Sequence, residues 1–356
     1  MIMDEAQKQK LLFIEEQLVE HEFPPQLVIE NTSSCDQQCV HCSHKEITRP
    51  KRHMKRDLHD KIVREIAEES PMTEIWPTFY GEALVMGEEI WDRIDYADSV
   101  GCKNIVLNSN GGLLLKKNHI ERILNSPLKR FILSIDGFTK ETYEMIRFRG
   151  ERERTYEGVK ALLEAHKRKG DVYPVIICQY SLMEENEHEA DDFKKYWNEL
   201  GAEVKFRPKL EWTATGSITS DRIDHDPNFR IACPWGNNTM AIHQDGSVVA
   251  CAVDSFGSHI VANVNEVSVK EAWRLLGETL RKHHKNHDWE KIPDVCKRCN
   301  DWQTAGAEHE EKEEVVDGTR PFWYDQKVTN FKVPNKTSAF NSADPHNEQV
   351  IKLVRN

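Results

Sequence analysis

The chain has 356 residues, of which 38% are hydrophobic and 30% charged, and its formal net charge at pH 7 is −12. This length accommodates one large domain or two smaller ones. The acidic balance argues against a nucleic-acid-binding protein, whose domains are usually basic. No apolar run approaches the ~20 residues of a membrane span, and the polar N-terminus differs from a signal peptide. We therefore expect a cytoplasmic protein without a nucleic-acid or membrane partner.

Strands and helices alternate along the first two thirds of the chain. A helical extension is expected over residues 1–26. The predicted strands that follow are QLVIENT, EIWPTFYGE, NIVLNSN, RFILSID, PVIICQYS and EVKFRP, with helices such as KRDLHDKIVREIAEE and DDFKKYWNEL between them. This alternation indicates an α/β fold with a parallel sheet.

Three cysteines follow the first predicted strand, in the run ENTSSCDQQCVHC. Cys35, Cys39 and Cys42 can hold three irons of a four-iron cluster and leave the fourth iron open, because a closed cluster takes four thiolates. A zinc site is the alternative, with His41 or His44 as the fourth ligand.

Polar side chains share one parity on the predicted strands. Because alternate residues of a strand face opposite sides, together they predict a polar chamber on one face of the sheet. Each one alone is equally consistent with capping the helix that follows. The set comprises Glu30, Thr32, Thr78, Tyr80, Glu82, Asn108, Asn110, Ser134, Asp136, Gln179, Ser181, Lys205 and Arg207.

Four further cysteines lie beyond the strand and helix repeats. A hairpin that turns at Asp245 and Gly246, a short strand IVANV and the helix SVKEAWRLLGETLRKHH surround them. Such a set suits a structural zinc ion or a closed iron–sulfur cluster. The four are Cys233, Cys251, Cys296 and Cys299.

The first cysteine trio resembles the CxxxCxxC signature of the radical S-adenosylmethionine (radical SAM) superfamily. The resemblance implies a partial (β/α)6 TIM-like barrel, over residues 27–215. It also implies a [4Fe-4S] cluster whose open iron binds S-adenosylmethionine (SAM) and whose reduced form cleaves SAM to a 5'-deoxyadenosyl radical. His41 stands where the family usually has an aromatic residue near the adenine.

Other segments resemble the SAM-binding motifs of this family. FYGEAL at 79–84 matches the Gly-Gly-Glu element in Gly81 and Glu82, with Tyr80 in place of the first glycine. NSNG and SIDG resemble the segments that hold the ribose and the methionine end, and an arginine after the fourth strand resembles the one that contacts the carboxylate. The implied SAM-binding residues are His41, Tyr80, Gly81, Glu82, Asn108, Asn110, Ser134, Asp136 and Arg147, with Arg149 as the alternative arginine.

The second cysteine group resembles the SPASM/twitch extension of radical SAM enzymes. Its CPW, DGxVxxC and CxxC motifs follow the predicted barrel, over residues 216–303. Four cysteines suffice for one auxiliary [4Fe-4S] cluster, so the short twitch form is the closer resemblance. The spacing is most similar to that of the aminocyclitol (2-deoxy-scyllo-inosamine) dehydrogenases of aminoglycoside biosynthesis.

The resemblance implies a radical SAM oxidoreductase. We expect it to abstract a hydrogen atom from a small hydroxylated substrate, such as a sugar or aminocyclitol derivative, and to pass the electron to the auxiliary cluster. The partners would be this substrate and a flavodoxin- or ferredoxin-type electron donor. The alternatives are a radical SAM epimerase, a peptide-modifying SPASM enzyme, and a non-catalytic iron–sulfur or zinc scaffold.

Residues at the end of the last barrel strand are candidates for the acid/base step of an oxidation. They are Lys205, Arg207 and Glu211, although a lysine or arginine there equally suits an anchor for a phosphate or carboxylate. An epimerase would need a hydrogen donor, commonly a cysteine. The only strand cysteine, Cys178, is predicted to face the helices, which favours oxidation. The tail 304–356 is predicted to be partly disordered or packed on the body.

Overall fold

The computed structural model describes residues 3, 5–212, 218–220, 223 and 226–304. The predicted tail therefore lies outside the described residues from residue 305 onward. No helix in these ranges has the length and apolar character needed to cross a membrane.

A single sheet of nine strands organises the described chain, in the order β6-β5-β4-β3-β2-β1-β7-β8-β9. Neighbours from β6 to β7 run parallel, whereas β8 is antiparallel to β7 and β9 to β8. The sheet is an open barrel, so the predicted fold class is confirmed. The strands are β1 (Gln26–Ile29), β2 (Glu74–Trp76), β3 (Asn104–Ser109), β4 (Arg130–Ser134), β5 (Val175–Leu182), β6 (Glu203–Pro208), β7 (Thr239–Ile242), β8 (Ser247–Val249) and β9 (Ile260–Asn263).

Helices follow the strands and bury one face of the sheet. Alternate strand residues such as Ile105 and Leu107 belong to the same apolar core as Ile62 and Leu162 of the helices, as the period-two pattern requires. The helices are α1 (Glu5–Glu16), α2 (Arg56–Glu69), α3 (Glu88–Val100), α4 (His119–Asn125), α5 (Lys140–Ile146), α6 (Arg152–Lys169), α7 (Ala190–Glu199), α8 (Pro234–Asn238), α9 (Val269–Leu276), α10 (Lys282–Lys285) and α11 (Asp294–Arg298).

The second strand is much shorter than the predicted EIWPTFYGE. It ends at Trp76 because Pro77 has no backbone N–H to give to a neighbouring strand. Asn31 instead donates a side-chain hydrogen bond to the Pro77 carbonyl, at 3.0 Å. Tyr80 therefore lies in a loop, and its orientation does not follow strand parity.

The predicted hairpin forms and extends the barrel sheet. Gly246 has a φ of 92°, a left-handed conformation that glycine adopts without strain, and His243 N–H donates to the Ser247 carbonyl at 2.9 Å. Strand β7 pairs with β1, with Val28 opposite Ala241. The two parts of the chain therefore share one sheet, and the two cysteine groups are fixed to neighbouring strands.

Helix α1, within the predicted N-terminal extension, packs against the second part of the chain. Lys8 forms an ion pair of 2.8 Å with Asp226. Glu15 accepts hydrogen bonds from the backbone N–H of Ala232, at 2.5 Å, and from His287, at 2.7 Å. Since Ala232 directly precedes Cys233, α1 helps to position one of the distant cysteines.

Candidate functional site

The cysteine trio lies in the loop after β1, and none of the three is in a disulfide. The loop turns so that Cys42 N–H donates to the Cys39 carbonyl, at 3.2 Å. Burial, reinforced by Cys39, raises the pKa of Cys42 to about 12. Closely grouped free thiols that burial holds in the protonated state are suited to a metal, which deprotonates its cysteine ligands.

The two histidines of this loop are already engaged. His44 Nε2 lies 2.9 Å from the Ser33 carbonyl, and His41 Nε2 lies 3.3 Å from Asp136 Oδ2. Burial lowers the pKa of both imidazoles. In both rings Nδ1 is buried without a hydrogen-bond partner, so each histidine is held through Nε2 alone.

Glu82 anchors the loop after β2 beneath the cysteine loop. Its carboxylate accepts hydrogen bonds from the Asn110 N–H at 2.7 Å, the Ser109 hydroxyl at 2.9 Å and the Leu84 N–H at 3.0 Å. Burial, which the hydrogen bonds only partly offset, raises its pKa to about 7. Glu82 and Asn110 are thus brought together as predicted.

The backbone at Gly81 lies so close to the loop after β1 that a side chain would not fit between them. A Cβ on Gly81 would lie 2.2 Å from the Thr32 carbonyl oxygen and 2.8 Å from that of Ser34. The next N–H, of Glu82, donates to the Ser34 carbonyl at 2.8 Å. Glycine here lets the two loops touch directly.

A row of hydrogen-bonded polar side chains crosses the inner face of the barrel. Ser134 donates to the Asn108 side chain at 3.3 Å, and Gln179 donates to Ser134 at 3.2 Å. Lys205 is opposite Gln179 in the register of β5 and β6, and is 5% exposed. The predicted polar chamber is therefore present along β3 to β6.

Asp136 and Arg147 form a buried ion pair beside the trio. Asp136 also accepts the Ser181 N–H, at 2.6 Å. Burial raises the pKa of Asp136, but Arg147 and His41 outweigh it and hold that pKa well below its ordinary value. Arg149 is exposed, so only Arg147 of the two candidate arginines lies in the site.

Tyr80 faces the second cysteine group. Its ring is 3% exposed, and its hydroxyl donates to the Ala252 carbonyl at 2.6 Å. Phe79 and Trp212 pack around it, with ring centroids 4.1 and 5.5 Å away. The side chain therefore spans the space between the loop after β2 and the residue after Cys251.

Glu30 and Thr32 occupy structural positions at the end of β1. Arg49 binds both carboxylate oxygens of Glu30, at 2.5 and 2.6 Å, and Gln244 N–H donates to it at 3.1 Å. The Thr32 hydroxyl accepts from the Ser34 N–H, at 3.0 Å. The charge of Glu30 is thus paired. Arg49 was not predicted, because nothing in the sequence links a loop cation to a strand end.

The four distant cysteines converge from three segments of the chain. Burial raises the pKa of Cys251 well above its ordinary value, and Cys296, Cys233 and Cys299 reinforce the shift. All four are free thiols. The four thiols therefore lie within electrostatic range of one another.

Asp301, two residues after Cys299, ties this group to the end of the barrel. Its carboxylate accepts the backbone N–H groups of Glu211, at 2.8 Å, and Trp212, at 3.1 Å. Burial raises its pKa to about 6, while Arg207 acts in the opposite direction. Glu211 and Arg207 thus lie on the side of the second cysteine group, whereas Lys205 lies in the chamber. Asp301 was missed because a lone aspartate carries no distinctive pattern.

The two remaining cysteines are core residues. Cys102 and Cys178 are 1% and 0% exposed and belong to the main apolar core between sheet and helices. The prediction that Cys178 faces the helices is confirmed. Neither thiol borders the polar chamber.

Two protein families match the chain. Residues 29–195 match the Radical SAM superfamily, and residues 233–300 match SPASM, an iron–sulfur cluster-binding domain. Together the matches cover about two thirds of the sequence. No curated protein matches the chain.

Several solved structures share the fold. BtrN in complex with AdoMet and 2-DOIA is 16% identical, with a TM-score of 0.53 over 79% of this chain and 94% of BtrN. Streptococcus suis SuiB bound to precursor peptide SuiA is 14% identical, with a TM-score of 0.59 over 84% and 74%. AnSMEcpe with bound AdoMet is 15% identical, with a TM-score of 0.53 over 93% and 99%. Identities this low establish the fold alone.

The two family matches divide the chain in the same way as the two cysteine groups do. The radical SAM match contains the trio and the Glu82 and Asp136 networks, and the SPASM match contains all four distant cysteines. These two domains bind [4Fe-4S] clusters and SAM. The chain thus carries a Radical SAM superfamily domain followed by a SPASM iron–sulfur cluster-binding domain.

Proposed function

We propose that this protein is a radical SAM dehydrogenase that oxidises a small hydroxylated molecule, such as a sugar or aminocyclitol derivative. The observation that carries the proposal is the group of four free thiols that act on one another electrostatically, because an oxidation needs an electron acceptor and such a group can hold one. The presence of BtrN among the similar structures supports the aminocyclitol resemblance.

The trio would hold the cluster that binds SAM, through Cys35, Cys39 and Cys42. A reduced cluster there supplies the electron that cleaves SAM to a 5'-deoxyadenosyl radical. Glu82 would accept hydrogen bonds from the amino group of SAM. Hydrogen bonds from Ser109 and Asn110 already hold its two carboxylate oxygens in a fixed orientation. Arg147, paired to Asp136 next to Cys39, is positioned for the carboxylate.

The remaining predicted SAM contacts follow the same arrangement. Asn108 and Ser134 hydrogen-bond to each other on the chamber wall, which suits the ribose hydroxyls. His41, held at Asp136, lies at the edge of the trio, which suits the adenine. Gly81 brings the Glu82 loop close enough to the trio for one ligand to reach both.

The distant cysteines would hold an auxiliary four-iron cluster rather than zinc. The segment that contains all four matches SPASM, an iron–sulfur cluster-binding domain, and the four thiols influence one another electrostatically. A closed four-iron cluster takes four thiolates.

In the oxidation the substrate would lose a hydrogen atom, a proton and an electron, each to a different acceptor. One hydrogen atom goes to the 5'-deoxyadenosyl radical, one proton to a base, and one electron to the auxiliary cluster. Lys205 lies in the chamber, where it suits proton transfer or an anchoring contact with the substrate. Glu211 lies beside Asn300, with 3.4 Å between Asn300 Nδ2 and its carboxylate, and Arg207 acts on Asp301. Glu211 and Arg207 therefore lie toward the second cysteine group.

A peptide substrate is the second candidate. SuiB bound to its precursor peptide and anSMEcpe with bound AdoMet share this fold. Against it, the matched SPASM segment contains only four cysteines, enough for one auxiliary cluster. An epimerase is disfavoured because neither Cys102 nor Cys178 borders the chamber. Any of these reactions would require a one-electron donor, which we propose to be of the flavodoxin or ferredoxin type.

Anaerobic iron and sulfide analysis with a SAM cleavage assay tests the proposal. About eight irons per chain are expected, because each cluster contains four. Incubation with SAM and a strong reductant should release 5'-deoxyadenosine, and a hydroxylated substrate should be converted to its carbonyl product in equal amount. A fully loaded protein that releases no 5'-deoxyadenosine, or a second site containing zinc, would defeat the proposal.

SAM affinity is expected to fall as the pH is lowered from about 8 to about 6. Burial raises the pKa of Glu82 to about 7, so below that pH the carboxyl is protonated in the SAM-free protein and must lose a proton to accept the SAM amino group. Equilibrium binding of SAM at several pH values measures this. Glu82→Gln should bind SAM more weakly and lose the pH dependence. An unchanged pH profile in that variant would contradict the assignment.

A further inference from the structure

Tyr80 contacts the surroundings of both cysteine groups. Its hydroxyl donates to the Ala252 carbonyl, at 2.6 Å, and Ala252 is covalently joined to Cys251. The ring itself is 3% exposed. Burial raises the pKa of the Tyr80 phenol well above its ordinary value, and the thiols of Cys251 and Cys42 both add to the shift. One side chain therefore lies within electrostatic range of a cysteine from each group.

Aromatic rings enclose the Tyr80 ring, while the Ser43 and Ser255 side chains lie near its hydroxyl. Phe79 packs edge-on against it, with 4.1 Å between the ring centroids, and Trp212 closes the other side at 5.5 Å. Phe79 also packs on a small apolar cluster that includes Val28 and Ala252. Such a partition keeps water out of the region between the two cysteine groups, so a buried hydrogen bond there has no competing solvent partner.

The residue type matters at this position. Radical SAM proteins usually have glycine as the first residue of the motif that Tyr80, Gly81 and Glu82 match here. Glycine would leave the Ala252 carbonyl without this donor and the partition without its central ring. Gly81 and Glu82, the two neighbouring matches, keep their own contacts with the trio loop and with Asn110, so the tyrosine adds a contact without removing the carboxylate.

We propose that Tyr80 is a positioning residue that couples the two cluster sites. Its hydroxyl fixes the Cys251–Ala252 segment, and the two residues that follow it contact the Thr32 and Ser34 carbonyls just before the trio, so that electron exchange between the clusters runs through this side chain. In the exchange, one electron leaves the reduced cluster and reduces the oxidised one, with no proton transferred and no bond broken. This inference rests on the proposed function, because it requires both clusters.

The test is intramolecular electron exchange in the fully loaded protein without substrate. A flash photoreductant delivers less than one electron per chain, and rapid freezing with electron paramagnetic resonance follows the two cluster signals as they reach equilibrium. Exchange should be several-fold slower in Tyr80→Phe, which loses only the hydrogen bond, and slower again in Tyr80→Leu, which also loses the ring. Tyr96→Phe, which removes a tyrosine hydroxyl that Arg64 contacts on the outer surface of α3, is the matched control and should exchange at the wild-type rate.

Iron and sulfide counts on each variant separate this inference from the proposed function. If Tyr80→Leu loses the auxiliary cluster, it cannot exchange electrons between two clusters, and the exchange rate of Tyr80→Phe then decides whether the coupling role is correct. Exchange at the wild-type rate in Tyr80→Phe, equal slowing in Tyr96→Phe, or no exchange in the wild-type protein would overturn the coupling role. Absence of one cluster from the wild-type protein would instead overturn the proposed function.

Discussion

Replacement of Cys42 by alanine is expected to abolish SAM cleavage and to remove about four of the about eight irons per chain. Cys42 lies with Cys39 in one turn, where Cys39 adds to the raised pKa of the Cys42 thiol. Three thiolates already leave one iron without a protein ligand, so the loss of another leaves too few to retain the cluster. Iron analysis and the yield of 5'-deoxyadenosine measure the effect.

Two other cysteine variants test whether the expected effect is specific to the trio. Cys178→Ala removes a thiol from the apolar core and should keep all irons and SAM cleavage. Cys251→Ala should lose the auxiliary irons but still release 5'-deoxyadenosine, without the oxidised product. Retention of SAM cleavage in Cys42→Ala, or its loss in Cys178→Ala with the fold intact, would contradict the assignment of the trio.

The parallel sheet was predictable because strand parity and helix alternation are local patterns. The predicted core residues of β3 to β6 point to the helices, and Asn108, Ser134 and Gln179 to the chamber. The prediction failed where one residue interrupts the pattern. Pro77 ends β2 after three residues, so strand parity could not predict that Tyr80 turns toward Ala252.

The sequence also could not predict which residues pair with each other when they lie far apart in the chain. Arg49 and Asp301 satisfy buried groups far along the chain, at Glu30 and at the backbone of Glu211. A single charged residue carries no spacing signal, and only the folded chain reveals which group it neutralises. The same holds for Arg147, the predicted contact, and Arg149, its alternative, which differ in burial.

The shared sheet changes how the two domains should be viewed. Sequence motifs suggested a barrel followed by a separate cluster module, but β7 pairs directly with β1, the strand that leads into the cysteine trio. Parallel strands place their carboxyl ends at the same edge, so the loop after β1 and the hairpin of β7 start from adjacent positions. The distance between the two cysteine groups is thus set by backbone hydrogen bonds rather than by a linker.

Replacement of Arg147 by methionine is expected to destabilise the fold by roughly 3–5 kcal/mol, the typical cost of leaving one partner of a buried ion pair uncompensated. Asp136 is 0% exposed, and without Arg147 its carboxylate would keep only the Ser181 N–H and His41 as partners. Anaerobic urea unfolding, followed by circular dichroism, gives the change in the free energy of unfolding.

The double variant Asp136→Asn/Arg147→Met separates the ion pair from simple packing. Because it removes both charges, it should recover much of the stability lost in Arg147→Met. Arg274→Met breaks an exposed pair with Glu271 and serves as the control, with no measurable change expected. If Arg147→Met were as stable as this control, or the double variant no better than the single one, the buried pair would not be what holds the chamber wall against the cysteine loop.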